Sequence, residues 1–235
     1  MADDIDYRIV GDDMQMVEIE LDPQETVRAE VGAMVYMEEG IQMQTSTDGG
    51  LFSGLKRMVS GENFFITSFQ HQGRRPKAHV AFSAPYPGKI VPLNLAEIGS
   101  ILCQKDAFLC AAAGIDIEVA FTKRLGAGFL GGEGFILQKL TGRGLAFIHA
   151  GGTIISRNLA AGESLRVDTG SLVAMTESID FKINFVGGFK NALFGGEGLF
   201  ITELTGPGII YLQSLPFARL ADRVARAVNF GHHDR

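Results

Sequence analysis

Three glutamates hold one position in a stretch that the chain repeats: Ser60-Gly61-Glu62-Asn63-Phe64-Phe65-Ile66, Gly131-Gly132-Glu133-Gly134-Phe135-Ile136-Leu137 and Gly195-Gly196-Glu197-Gly198-Leu199-Phe200-Ile201. Three carboxylates set around a pseudo-threefold axis could converge on a hard cation or a polar ligand. Such a cation takes six or more oxygen ligands, and the neighbours here are glycines and apolar residues instead of further acids or amides. Glu62, Glu133 and Glu197 therefore read as turn acids that cap backbone amides, beside glycines free to take positive φ. No metal is expected at them.

Asp168-Thr169-Gly170-Ser171 spells an aspartic-protease signature between apolar strands. That chemistry needs two aspartates sharing a proton, and no second Asp-Thr-Gly occurs in the chain. The corresponding positions elsewhere read Glu30-Val31-Gly32-Ala33 and Gln104-Lys105-Asp106-Ala107, so a polar residue is what this strand corner takes. His71, His79 and His149 lie apart, without HxH or HExxH spacing, and His232-His233 is a terminal pair. Neither a phosphate loop nor a nucleophile elbow is present. Cys103 and Cys110 share one apolar run without CxxC spacing and read as buried free thiols. No catalytic residue, metal or cofactor is expected, and the chain is read as not an enzyme.

The loops ahead of the Gly-Glu stretches carry large apolar residues: Leu51, Phe52, Leu55 and Met58, then Phe129 and Leu130, then Phe189, Leu193 and Phe194. Lys56, Arg57, Lys123, Arg124 and Lys190 add positive charge nearby. Apolar residues on glycine-rich loops either fold back over the body or form a contact patch. Folding back, subunit contact and a peripheral membrane surface all stay open.

The elements that carry these loops follow from an internal ruler. Met14–Leu21 aligns with 88–95 and 152–159 at steps of 74 and 64 residues. The same steps align Thr26–Ala29 with 100–103 and 164–167, Ala33–Val35 with 107–109 and 171–173, and Ile41–Gln44 with 115–118 and 179–182. Ungapped blocks in one register mark a tandem repeat. The predicted units are 14–87, 88–151 and 152–215, after a lead-in at 1–13. Period-two alternation (Ile115, Ile117, Val119 against Asp116, Glu118) predicts half-buried strands. Turn signals about every ten residues favour sandwiches or a double-stranded β-helix over crossover helices. Phe217, Leu220, Ala221, Val224 and Val228 recur at helical spacing opposite Arg219, Asp222, Arg223 and Arg226, so 216–230 is predicted as an amphipathic helix with a tail at 231–235. A helix this short needs cover, from the last β unit or from a neighbouring subunit.

Composition bounds the partners. The 235 residues carry a formal charge of −6, which argues against a polyphosphate-binding protein. The acidic amino end and the shortness of the apolar runs make a cytoplasmic protein the expectation.

The Gly162-Glu163-Ser164-Leu165 corner, the Gly170–Ala174 run and the Gly-Gly-Glu-Gly-Leu-Phe stretch resemble the altered-inheritance-of-mitochondria number twenty-four family over about residues 14–215. The resemblance implies an all-β chain of three tandem β-sandwich repeats, of the tryptophan RNA-binding attenuation protein type, plus a C-terminal α-helix. It also implies trimers closing into a ring, and mitochondrial relatives associated with inner-membrane organisation. It carries over no catalytic residues. The first unit departs most, with Asn63 for glycine and Arg74-Arg75-Pro76-Lys77 before its last strand. Nucleic acid is not expected, because likeness of fold does not transfer a binding site. Stacked units also leave two open ends, which identical copies can satisfy. The expected function is a non-enzymatic, ring-forming homo-oligomeric scaffold that presents its loops to a protein or membrane surface. The alternative is a small-molecule or metal binding module, or an enzyme, using pockets between repeats or subunits.

Overall fold

Strands dominate the chain because its apolar residues recur every second position. In the strand Met16–Leu21, Val17, Ile19 and Leu21 are fully buried while Met16, Glu18 and Glu20 alternate outward. The computed structural model describes residues 5–30, 32–45, 66–123, 134–186 and 199–230. A leading strand β1 (Asp6–Val10) precedes segment 14–87, which forms β2 (Met16–Leu21), β3 (Thr26–Glu30), β4 (Met34–Met37), β5 (Ile41–Thr45), β6 (Ile66–His71) and β7 (Ala78–Ser83). Segment 88–151 forms β8 (Gly88–Asn94), β9 (Ile101–Gln104), β10 (Phe108–Ala112), β11 (Ile115–Lys123), β12 (Phe135–Gly142) and β13 (Leu145–Gly151). Segment 152–215 forms β14 (Ile154–Leu159), β15 (Ser164–Asp168), β16 (Leu172–Thr176), β17 (Asp180–Val186), β18 (Leu199–Thr205) and β19 (Gly208–Gln213). A one-turn helix α1 (Leu95–Ile98) follows β8, and α2 (Phe217–Phe230) ends the described chain. Among the described residues no helix is long and apolar enough to cross a membrane.

Two compact units emerge from the contacts. The first holds the sheets β1-β2-β7-β4 and β5-β6-β3-β10-β13-β8. Its core joins Val17, Ile19, Val80 and Phe82 of the former to Val27, Phe69, Leu109 and Phe147 of the latter. Phe69 and Phe82 meet edge to face at 5.2 Å. Close backbone approach sets one turn in this unit: Gly142 has φ +124°, and a Cβ there would stand 2.2 Å from the carbonyl oxygen of Gly114.

The second unit holds the sheets β11-β12-β9-β16-β19-β14 and β15-β18-β17. Phe135, Leu137, Leu172, Met175 and Ile210 form its core with Val167 and Leu204, and Phe121 stands edge-on to Phe181 at 5.2 Å. Segment 88–151 gives β8, β10 and β13 to the first unit and β9 and β11 to the second.

Strand pairing keeps the sequence ruler. β3 pairs β10 with Ala29 opposite Cys110, and β9 pairs β16 with Cys103 opposite Ala174. The steps of 74 and 64 residues carry Ala29 to Cys103 and Cys110 to Ala174, so both joints use one register. Each third strand also shifts register over a single residue against the last strand of its segment: Val35 in β4, Leu109 in β10 and Val173 in β16. A bulge recurring at one ruler position re-aims that residue in the same way each time.

Candidate functional site

The residues singled out for the loops (Leu51, Phe52, Leu55, Met58, Phe129, Leu130, Phe189, Leu193, Phe194) and the turn acids Glu62, Glu133 and Glu197 lie outside the described residues. The strands that lead toward those loops are described. β17 ends in Phe185 and Val186, both more than half exposed, with Phe185 packed on Phe200 at 5.1 Å between ring centroids. Val119 of β11, placed on the apolar side by its alternation, is also exposed. Beyond Ile117 that strand buries neither side fully.

The sequence singled out Asp168-Thr169-Gly170, and this stretch forms a corner. Asp168 Oδ1 accepts from the Gly170 amide at 2.8 Å, closing the 3-10 turn Thr169–Ser171. Thr169 is buried, bonded through its hydroxyl to Thr202 at 2.9 Å and through its carbonyl to Gln104 Nε2 at 3.1 Å. The other carboxylate oxygen of Asp168 takes Arg219 of α2. Cys103 and Cys110 are free and buried; burial pushes the Cys103 thiol up to about 12 and Cys110 well above its usual value.

The histidines take separate places. His71 closes the β6–β7 turn, its Nε2 2.9 Å from the Arg75 carbonyl and its Nδ1 accepting from the Gly73 amide at 3.2 Å. His149 is buried in the first unit. His79 lies across β7 between Glu20 of β2, at 3.3 Å, and Glu38 just past β4, at 3.1 Å. Hydrogen bonding to Glu38 raises the His79 pKa, and the same contact holds the Glu38 carboxyl below its usual range. Around them Arg8 pairs Glu18 at 2.8 Å, Tyr36 donates to Glu18, and Lys77 pairs Glu20. The outer face of the first sheet is thus a cross-strand charge ladder ending at β4.

β4 differs from its counterparts β10 and β16 in both pairing and exposure. Among the described residues it is the last strand of its sheet, with β7 on one side and no strand on the other. Val35 is 52% exposed, whereas the ruler equivalents Leu109 and Val173 are 2% and 1% exposed. Tyr36 and Met37 are likewise exposed where Cys110, Ala111, Ala174 and Met175 are fully buried. The difference has a plain cause: β10 lies between β3 and β13, and β16 between β9 and β19. A second edge is β15, which among the described strands pairs β18 alone, although its counterparts β3 and β9 each have two neighbours. Sequence reasoning named no residue of β4 as a site, because Val35, Leu109 and Val173 are equally apolar and only pairing separates them.

Strands paired in one recurring register, with β4 and β15 as edges among the described residues, define a mostly-β protein of several sheets. The chain belongs to the family described as Mitochondrial biogenesis AIM24, whose model matches residues 7–215. It is 30% identical over 219 residues to an uncharacterised protein of Streptococcus pyogenes serotype M6, covering 90% of this chain and 86% of that one. It is also similar to an X-ray crystal structure of a Streptococcus pyogenes protein, with TM-score 0.76 and 27% identity over 95% of this chain and 99% of the other.

Proposed function

We propose that the chain is a non-enzymatic scaffold built from three copies of one β-sandwich module, closed head to tail by other copies into a ring. The exposure of β4, set against the burial of β10 and β16, carries this reading. If the β3–β10 and β9–β16 register continued one step further, Val167 of β15 would stand opposite Tyr36 of the next copy, and Arg166 opposite Met37. Such a joint is heterologous: β15 of one copy meets β4 of another, so the array closes as a ring if its rotation permits. A trimer is the closure that the family resemblance implies. Covering Val35, Tyr36 and Met37 supplies on the order of 1 kcal/mol each, since each is already about half covered, and the added ladder removes two aggregation-prone edges.

The ring would present the exposed ends of its hairpins, marked by Val119, Phe185 and Val186, to a protein or membrane surface. The cytoplasm is the compartment proposed, supported by two cysteines kept as buried thiols. Light scattering tests the assembly: the proposal expects a multiple of the chain mass, and the mass of one chain when Val35→Lys is combined with Met37→Lys. A wild-type chain that stays monomeric overturns it. For the presentation surface, Phe129→Asp with Phe194→Asp should abolish vesicle or partner capture without loss of ring mass; unchanged capture counts against that role.

A further inference from the structure

Along its second half the carboxy-terminal helix is covered by none of the described residues. From Arg223 onward the described side chains of α2, namely Arg223, Val224, Ala225, Ala227 and Val228, are all exposed, with Val224 at 56% and Val228 at 60%. Its first turn is held: Arg219 pairs with Asp168, and Leu220 is half-buried. A helix of this length is marginal in water unless its apolar stripe is covered. Ala221, Val224 and Val228 therefore want a partner, and where the helix is anchored says which.

Two anchors hold α2 at one end of the second unit. Asp168 is the last residue of the bare edge β15, and Leu215, just before the helix, donates to the Gly151 carbonyl at 3.1 Å beside the start of β14. The strand ruler converts both anchors into positions on a following copy. Continued to the next copy, the register of β3–β10 and β9–β16 would set Asp168 beside that copy's Val35. Within the first unit, Met14, the leading residue of the first segment, bridges Gly88, the leading residue of the second. Applied after the third segment, that step brings Met14 of the next copy to Gly152. Met14 and Val35 are 67% and 52% exposed. They belong to one end of the first sheet, where Ser83 donates its amide to the Ala33 carbonyl at 2.8 Å and its hydroxyl to the Gln15 carbonyl at 3.3 Å. The charges match as well. The described polar side of α2 carries Arg219 and Arg223 against one acid, Asp222, while Asp12 and Asp13 precede Met14; Asp13 is 3.3 Å from Lys89, and its side chain is still 93% exposed.

We propose that the apolar stripe of α2 seats on the next copy of this chain, over Met14 and Val35 at the end of its first sheet. Arg223 then faces Asp12 and Asp13. The inference rests on the head-to-tail ring and adds to it: the helix is a strap across each joint, fastening the copy that supplies β4 to the copy that supplies β15.

The test places a photoreactive benzoylphenylalanine at Val224 in the full chain and mixes copies of normal and heavy isotopic mass before irradiation. Cross-links between differently labelled copies, mapping to 12–16 or 33–36, are expected. In parallel, Val224→Asp with Val228→Asp should raise the concentration for half-assembly tenfold or more, with the strand signal in circular dichroism intact. Cross-links confined to one chain, or elsewhere on a copy whose ring mass is normal, overturn the strap and leave the ring standing. A wild-type chain monomeric at every concentration removes both. Binding to phosphatidylglycerol vesicles that the double variant loses, with assembly unchanged, assigns the stripe to a lipid surface and overturns the proposal.

Discussion

The imidazole of His149 stands edge-on to the ring of Tyr86, 4.6 Å between centroids at 85°, in a site where the histidine is 2% exposed. Its Nδ1 has no hydrogen-bond partner among the described residues. Burial alone lowers its pKa to about 4. An unfolded histidine titrates near 6.5, so the folded value is the depressed one. Its contribution is whole above about pH 6.5 and is lost as pH falls toward 4. Thermal melts should show a loss on the order of 2–3 kcal/mol across that interval. His149→Phe, which keeps the ring against Tyr86, should flatten the slope; an unchanged slope would assign the pH dependence elsewhere.

Val35 and Leu109 give a paired measurement. Leu109→Ala removes a side chain from the first core and should cost about 2–5 kcal/mol in denaturant titrations, whatever the protein concentration. Val35→Ala acts on a half-exposed side chain. Its cost should be within about 0.5 kcal/mol in a dilute sample and grow with concentration as copies assemble. Equal, concentration-independent losses would mean that β4 is covered by its own chain.

Both cysteines should be silent to thiol reagents in the native protein. With Cys103 raised to about 12 and Cys110 raised well above its usual value, almost no thiolate exists at pH 8, and neither sulfur reaches solvent. A disulfide-exchange assay should count no thiols in buffer and two in denaturant. One fast thiol in buffer would contradict the burial.

Two glycines with positive φ separate strain from collision. At Gly162, φ +79° with nothing within 4 Å of an added Cβ, alanine should cost about 1–2 kcal/mol, the left-handed penalty alone. At Gly142 the Cβ meets a backbone carbonyl, which cannot rotate away, so Gly142→Ala should cost several times as much or prevent folding. Similar midpoints for the two variants in a urea titration would show that the β12–β13 turn relaxes freely.

Local chemistry explains what was legible in the chain. Alternation in Ile115-Asp116-Ile117-Glu118 specifies a strand, because side chains two apart share a face wherever the strand sits. The 3.6-residue spacing of Phe217 to Val228 specifies a helix for the same kind of reason. The polar corner residue Asp168 was legible as a turn, since its carboxylate needs only the amide two residues on. Membership of a family rested on such short patterns too.

Pairing and cover were decided only by the tertiary structure. Val35, Leu109 and Val173 are interchangeable as letters, and a neighbouring strand from a distant segment buries two of them and leaves the third in water. His79 read as scattered because Glu20 and Glu38, its partners, stand 59 and 41 residues away along the chain. Hydrophobic periodicity says which side of an element wants cover. What supplies that cover depends on contacts far apart in sequence, which no spacing of residues records.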